Sequence, residues 1–253
     1  DYEWTNGINE YMFHRFAHQS NTHVKPGMSM SFVGSHIDRT QTWWENAGPE
    51  WFNYLARGSY MLRQGNPVVD LLVFVGDKGI ANLAAQGAII IGEKPNTLGG
   101  YNHNQKTIDE FKTLVDTIWK KPKVYSNMEW ESIFEENNIQ KDLIVEGQPD
   151  FNYYHRRSDT EDIYFVYNHN QTEAETLECS FLVDGKVPEL WNSETGEMKK
   201  LVEYTNQNGR TNISIQLNPQ ESVFVVFKEA KKVLPKVTYL QSNNLSKPSF
   251  ALN

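Results

Sequence analysis

A chain of 253 residues with 39% apolar and 13% aromatic side chains can bury a sizeable core and has room for one or two domains. A formal charge of −8 and a pI near 5.4 argue against a nucleic-acid partner, since no element concentrates basic residues. Cys179 is the single cysteine, which excludes an internal disulfide, and no apolar run reaches transmembrane length. Asp1 opens no signal peptide and the chain starts without Met inside a dense motif, so a mature product, a fragment or part of a larger protein is expected.

Asn6-Gly7 punctuates a polar start, and Tyr11-Met12-Phe13 reads as a short buried strand delivering His14 to a rim. His14-Arg15-Phe16-Ala17-His18-Gln19 follows, then an apolar alternation over Met28–Val33, then His36-Ile37-Asp38-Arg39 leading into Trp43-Trp44-Glu45. Paired aromatics beside His, Asp and Arg suit a sugar pocket, because flat apolar faces stack on pyranose C–H groups while directional polar groups read hydroxyls. The competing reading makes the tryptophans core and the histidines satisfied structural groups. Gly48-Pro49 reads as a helix start with Pro at the first helical position, and Gly65 as its end. Trp51, Leu55, Gly58 and Leu62, joined by Tyr54 and Met61, mark one helical face. Val68–Val75 is almost continuously apolar, as in a parallel strand covered on both sides. Strand, loop, helix and strand in this order make a βαβ unit, whose site lies beyond the carboxyl ends of its strands. His14, His18, the loop from His36 to Glu45 and Asp77 fall there.

Further on, residues 79–86 read as a short helix ended by Gly87, Ala88–Ile91 as a buried strand, and residues 105–120 as an amphipathic helix carried by Ile108, Phe111, Leu114 or Val115, and Ile118. The glycines of GEKPNTLGG lack the Gly-Lys-Ser/Thr ending of a phosphate loop and read as a surface loop. Residues 126–148 are acidic and read as a linker with one short helix anchored by Trp130, Ile133 and Phe134. From Phe151 the pattern changes to strands, the strongest at 162–167, 176–183, 187–191, 211–217 and 222–227, with turns at Asp184-Gly185, Thr195-Gly196 and Asn208-Gly209. This predicts a β-sandwich, either a buttress or a carbohydrate-binding module displaying Tyr153, Tyr154 and Trp191.

The runs INEYMFHRFAHQ, PGMSM, HIDRTQTWW, WFNYLARGSYMLRQG and VVDLLVFVGD resemble glycoside hydrolase family 106, the α-L-rhamnosidase-like enzymes. GAIIIGEKP, YYHRR with DIYFVYN, PELWNSETGE and ESVFVVF resemble the same family, over roughly residues 6–228 and in its order. The resemblance implies a (β/α)8 catalytic barrel of which this chain holds the last two strands, accessory β domains, inverting cleavage of terminal rhamnosides, and calcium as cofactor. The expected division is then 1–77 barrel, 78–125 a flavodoxin-like α/β segment, 126–148 linker, 149–232 β-sandwich and 233–253 a tail toward a further domain. The chain departs from the family pattern in two places. About six barrel strands, with the glutamates that act as acid and base, are expected upstream of this sequence. A longer flavodoxin-like segment is also expected between Asp77 and Lys78 than this chain contains.

Two function classes are expected. In the first, the chain belongs to an inverting hydrolase, which needs an acid and a base about 6.5–9.5 Å apart. The rim carboxylates are Glu10, Asp38, Glu45 and Asp77, and Glu45 beside two tryptophans is the best placed for desolvation. In the second, it is a non-catalytic carbohydrate-binding or scaffold piece. No nucleophile elbow and no HExxH spacing occur, against Ser-His-Asp and zinc hydrolysis. The substrate contacts expected are His14, His18, Asp38, Arg39, Trp43 and Trp44. The partners expected are a carbohydrate and the remainder of the polypeptide, in the periplasm or secreted.

Overall fold

In the computed structural model, the described residues are 1–14, 18–25, 27–28, 37, 41, 43–69, 84–100, 103–147 and 149–229. They fall into two compact units, one drawn from Asp1–Val68 and Asp142–Asn253 and the other from Val69–Lys141.

The first unit opens with a single turn, α1 (Tyr2–Thr5), followed after an irregular stretch by the long helix α2 (Trp44–Leu62) and the short strand β1 (Asn66–Pro67). Residues 8–13 form no strand, and Met12 is 98% exposed, so the buried strand expected over 11–13 is absent. Helix α2 begins a turn earlier than Gly48-Pro49 and carries Pro49 inside it. The extra turn is held by aromatic packing: a Cβ on Gly48 would lie 3.0 Å from the Trp44 ring, so the indole lies flat against the helix there. The missing Pro49 N–H forfeits one bond to the Glu45 carbonyl, close enough to the helix start to be borne. The buried side of α2 is Gly58, Met61 and Leu62, whereas Trp51 is 39% exposed and leaves the face expected for it.

In the second unit, β2 (Ile90–Ile91), α3 (Gln105–Ile118), β3 (Val124–Tyr125) and α4 (Trp130–Glu136) follow one another. β2 and β3 pair in parallel, Ile90 with Val124 and Ile91 with Tyr125, with α3 connecting them. Both isoleucines are half-buried, less than expected. Asn104 caps α3 by accepting from the Thr107 N–H, and Val115 rather than Leu114 is buried beside Ile118. Ile133 of α4 is fully buried, while Trp130 is 45% exposed.

The chain then returns to the first unit as β4 (Leu143–Val145), β5 (Phe151–Arg157), β6 (Glu161–Asn168), β7 (Glu175–Phe181), β8 (Lys186–Trp191), β9 (Met198–Lys200), β10 (Thr205–Gln207), β11 (Arg210–Leu217) and β12 (Ser222–Glu229). β4 overturns the end of the expected linker: Leu143 pairs with Phe181 and Val145 with Cys179. Two antiparallel sheets result, ordered β1-β5-β6-β12-β8-β9 and β10-β11-β7-β4. Asn208 and Gly209 both have positive φ, 54° and 75°, as a two-residue primed turn between β10 and β11 requires.

The six-stranded sheet is covered on both faces. Tyr164, Val166, Val225 and Phe227 point to one side and meet Leu177, Phe181, Ile213 and Ile215 of the other sheet. Ile163, Phe165, Phe224 and Val226 point to the opposite side and meet Trp4, Met61 and Leu62. That is why β6 and β12 read as nearly continuous apolar runs. Each such ring or branched side chain contributes about 1.5–3 kcal/mol on burial. Trp4, 1% exposed, fits only because residue 58 is glycine, since a Cβ there would come within 1.9 Å of the indole. Trp4, Met61 and Leu62 therefore share a core with the strands, and the packing of residues 70–77 lies outside the described residues. The exit from this core is clamped: Arg156 donates to the Gln64 and Gly65 carbonyls, both at 2.6 Å, and the Val68 N–H donates to the His155 carbonyl at 2.9 Å. Gly65 has φ +55°, and a Cβ there would lie 2.1 Å from the Arg157 carbonyl oxygen. The strand expected over 68–75 lies outside the described residues beyond Val69, as does most of the alternation at 28–33.

Candidate functional site

The start of α2 gathers five aromatic side chains. Trp43 and Trp44 meet at 5.8 Å and 67°, Trp43 and Trp51 at 5.9 Å and 88°, and Trp44 and Phe52 at 5.6 Å. Trp51 and Phe52 touch at 4.9 Å, and Phe13 closes on both, at 5.4 and 5.7 Å. Residues 44, 48, 51 and 52 recur at helical spacing, and Gly48 leaves the indoles room to lie between turns. Edge-on and tilted contacts suit ring quadrupoles, and the cluster stays open, with Phe13 36% and Trp51 39% exposed and Trp43, Trp44 and Phe52 half-buried.

Of the expected contacts, Trp43 and Trp44 stand in this cluster. His14 and His18 are exposed on the preceding segment. That segment is tied toward α2 through Met28, whose N–H donates to Gln19 at 2.7 Å and whose carbonyl accepts from Gln19 at 2.7 Å and from buried Gln41 at 3.2 Å. Asp38, Arg39 and Asp77 lie outside the described residues. The Glu45 side chain is 65% exposed and paired with Lys25 at 2.6 Å, so it lacks the desolvating surroundings expected of it. Glu10 is likewise open, 3.7 Å from Arg63. Phe13, Trp51 and Phe52 were not among the expected contacts. The signal for the last two was their place seven and eight residues after Trp44 on one helix.

A second polar assembly is closed instead of open. The His155 ring, fully buried, faces Asp142 through Nδ1 at 3.0 Å and Asp162 through Nε2 at 3.0 Å. Asp162 also accepts from Arg157 and, at 2.9 Å, from Lys186, while the Tyr164 hydroxyl donates to Asp142 at 2.9 Å. Burial alone would lower the His155 pKa, but hydrogen bonds to the two carboxylates together with their charges outweigh it and raise it above the ordinary histidine value. Burial would raise Asp162, but the donors His155, Arg157 and Lys186 hold it far below the usual carboxylate range. Burial, then the Asp142 charge, pushes the Tyr164 phenol well above its ordinary range. Nothing here is left to meet a substrate, so the network ties β4, β5, β6 and β8 together. Tyr153, Tyr154 and Trp191, expected on display, are half-buried against the two cores. Among the described residues no three His, Cys, Asp or Glu side chains converge as metal ligands.

The family model for glycoside hydrolase family 106, alpha-L-rhamnosidase, matches residues 1–79 and 78–206, two stretches that meet where the family's longer segment was expected. A protein of Formosa agariphila whose name proposes a beta-glucuronidase is 29% identical over 296 positions, covering 92% of this chain and 25% of the relative. The chain thus spans about a quarter of that relative's length, and the alignment outruns its own 253 residues. The rhamnosidase structure from Novosphingobium sp. PP1Y superposes with a TM-score of 0.69 at 22% identity, covering 85% of this chain and 27% of that one, and so shares its fold.

Proposed function

The chain belongs to glycoside hydrolase family 106, the alpha-L-rhamnosidase family, and on that premise we propose that it supplies the aromatic wall of a sugar site in an enzyme that cleaves terminal α-L-rhamnosides with inversion. The observation that carries this reading is the open five-ring cluster of Phe13, Trp43, Trp44, Trp51 and Phe52, which lies within the matched region. Such rings stack on the apolar face of a sugar and exclude water from it. His14, His18, Asp38 and Arg39 read its hydroxyls, the cations and imidazoles donating and Asp38 accepting. Inversion needs an acid on the leaving oxygen and a base on water, about 6.5–9.5 Å apart. Of the rim carboxylates, the two described ones, Glu10 and Glu45, are each solvated and paired with a cation, which supports assigning the acid and base to the remainder of the polypeptide. The same reading makes a carbohydrate the partner and the periplasm or the cell exterior the location.

The test is turnover of an aryl α-L-rhamnoside, with an aryl β-D-glucuronide beside it, by residues 1–253 and by the native polypeptide. The native polypeptide is expected to cleave the rhamnoside and the isolated chain to cleave it negligibly. Robust turnover by residues 1–253 would overturn the division of labour and return attention to Glu45 and Asp38. Preference for the glucuronide would overturn the substrate.

A further inference from the structure

We propose a second sugar-binding site, for a neutral sugar ring, in the groove between the C-terminal half of α2 and the β8–β9 hairpin; it rests on the reading that this protein handles carbohydrate. The groove encloses about 430 Å³, within the range of small-ligand sites. Its walls are Tyr60, Met61, Trp191 and Met198, of which Tyr60 is 61% and Met198 64% exposed. Along the hairpin side the lining turns polar, through Asn192, Ser193 and Glu197.

Three observations point to a ligand. First, Ser193 is 5% exposed and its buried hydroxyl has no hydrogen-bond partner among the described residues. Second, the Asn192 amide oxygen accepts from the Glu194 and Thr195 N–H groups, which leaves its two amide N–H donors without a bond among the described residues. Third, the hairpin is held ready: Arg57 donates to the Ser193 and Glu194 carbonyls at 3.1 and 2.9 Å and lies against Gly196, whose φ of +79° turns the chain. The charges favour a neutral occupant. The Arg57 guanidinium is anchored to these carbonyls through Nη1, and Glu197 is paired with Lys199 at 3.1 Å. Apolar walls along one side and unspent donors along the other match a pyranose, which has a C–H face and a hydroxyl rim.

The test uses the native polypeptide with methyl-labelled methionine, titrated separately with L-rhamnose, D-galactose and phenol. The Met61 and Met198 methyl signals are expected to shift saturably with the sugars. Tyr60→Ala should weaken that response about tenfold through lost stacking. Ser193→Ala should weaken it about threefold to tenfold while leaving the melting temperature level or higher, because no bond in the free protein is lost. Silent methyls, a response to phenol but not to sugars, or an unchanged affinity in Ser193→Ala would each overturn the proposal. Turnover of the aryl α-L-rhamnoside is followed on the same samples. Silent methyls with normal turnover sink this site alone, whereas a sugar response without turnover supports it and sinks the proposed function alone.

Discussion

Around His155 and around Trp43, one unit of this protein assembles aromatic rings with charged and polar neighbours, and the two assemblies end in opposite conditions. At His155 both ring nitrogens face carboxylates, those carboxylates are claimed by Arg157, Lys186 and Tyr164, and the imidazole is fully buried. At Trp43 the rings pack edge-on against one another, and part of the cluster's surface still faces water. Residue type does not separate a tie from a site; saturation and exposure do. A buried group with every valence used can only hold the fold, whereas a half-open apolar cluster still has free energy to gain from a ligand.

The largest effect is expected from the closed assembly. Asp162→Ala leaves His155, Arg157 and Lys186 without their shared carboxylate and should cost about 3–5 kcal/mol of stability. Denaturant unfolding measures it, and a loss below about 1 kcal/mol, typical of surface pairs, would erase the contrast. Trp43→Ala or Trp44→Ala should weaken sugar binding in the native polypeptide by about 1–3 kcal/mol, or tenfold to a hundredfold, with most of the stability kept. Unchanged affinity together with a stability loss of about 3–5 kcal/mol would make that tryptophan part of the core.

Gly58→Ala probes the buried side of the helix whose start carries the open cluster. Overpacking against Trp4, partly offset by better helix propensity, should cost about 1–2 kcal/mol and leave sugar affinity unchanged. A parallel drop in affinity would mean that the two sides are one cooperative structure. The smallest effect is a pH dependence. His155 is raised in the fold, so its contribution is full below the unfolded value of about 6.5 and is lost as pH rises through the folded one. Asp162 is lowered, so its contribution is full above about 3.9 and is lost only as pH falls through its folded value. Denaturation midpoints should therefore decline on the alkaline side of about 6.5. A decline that persists unchanged in His155→Gln would assign it elsewhere.

The strands of the second half were legible because β6, β7, β8, β11 and β12 carry apolar alternation or runs between turn residues that force positive φ. β4 was not, since three residues in an acidic stretch give no periodicity, and only the partners Phe181 and Cys179 make them a strand. The start of α2 was misplaced because Pro49 is a strong local signal and the packing of two indoles over Gly48 is not a local one. Trp43 and Trp44 were legible as a pair. The enlargement of the pair by Phe13 depended on a segment that forms no regular structure. The His155 network was beyond the sequence, because Asp142, His155, Asp162 and Lys186 come from four separated stretches that only the sheets bring together.

The Arg156 clamp has a consequence for how this frame can change. With the exit at Val68 fixed by β5 and the return at Asp142 fixed by β4, residues 69–141 are, for this unit, a closed loop. The entropy of closing a loop grows with the logarithm of its length, about 0.6 kcal/mol for each doubling. Lengthening or trimming the insert thus penalises the frame less than a misplaced methyl group at Gly65, where the backbones touch. Insertions and deletions are free to accumulate between residues 69 and 141 while the residues that close the loop stay under tight steric control.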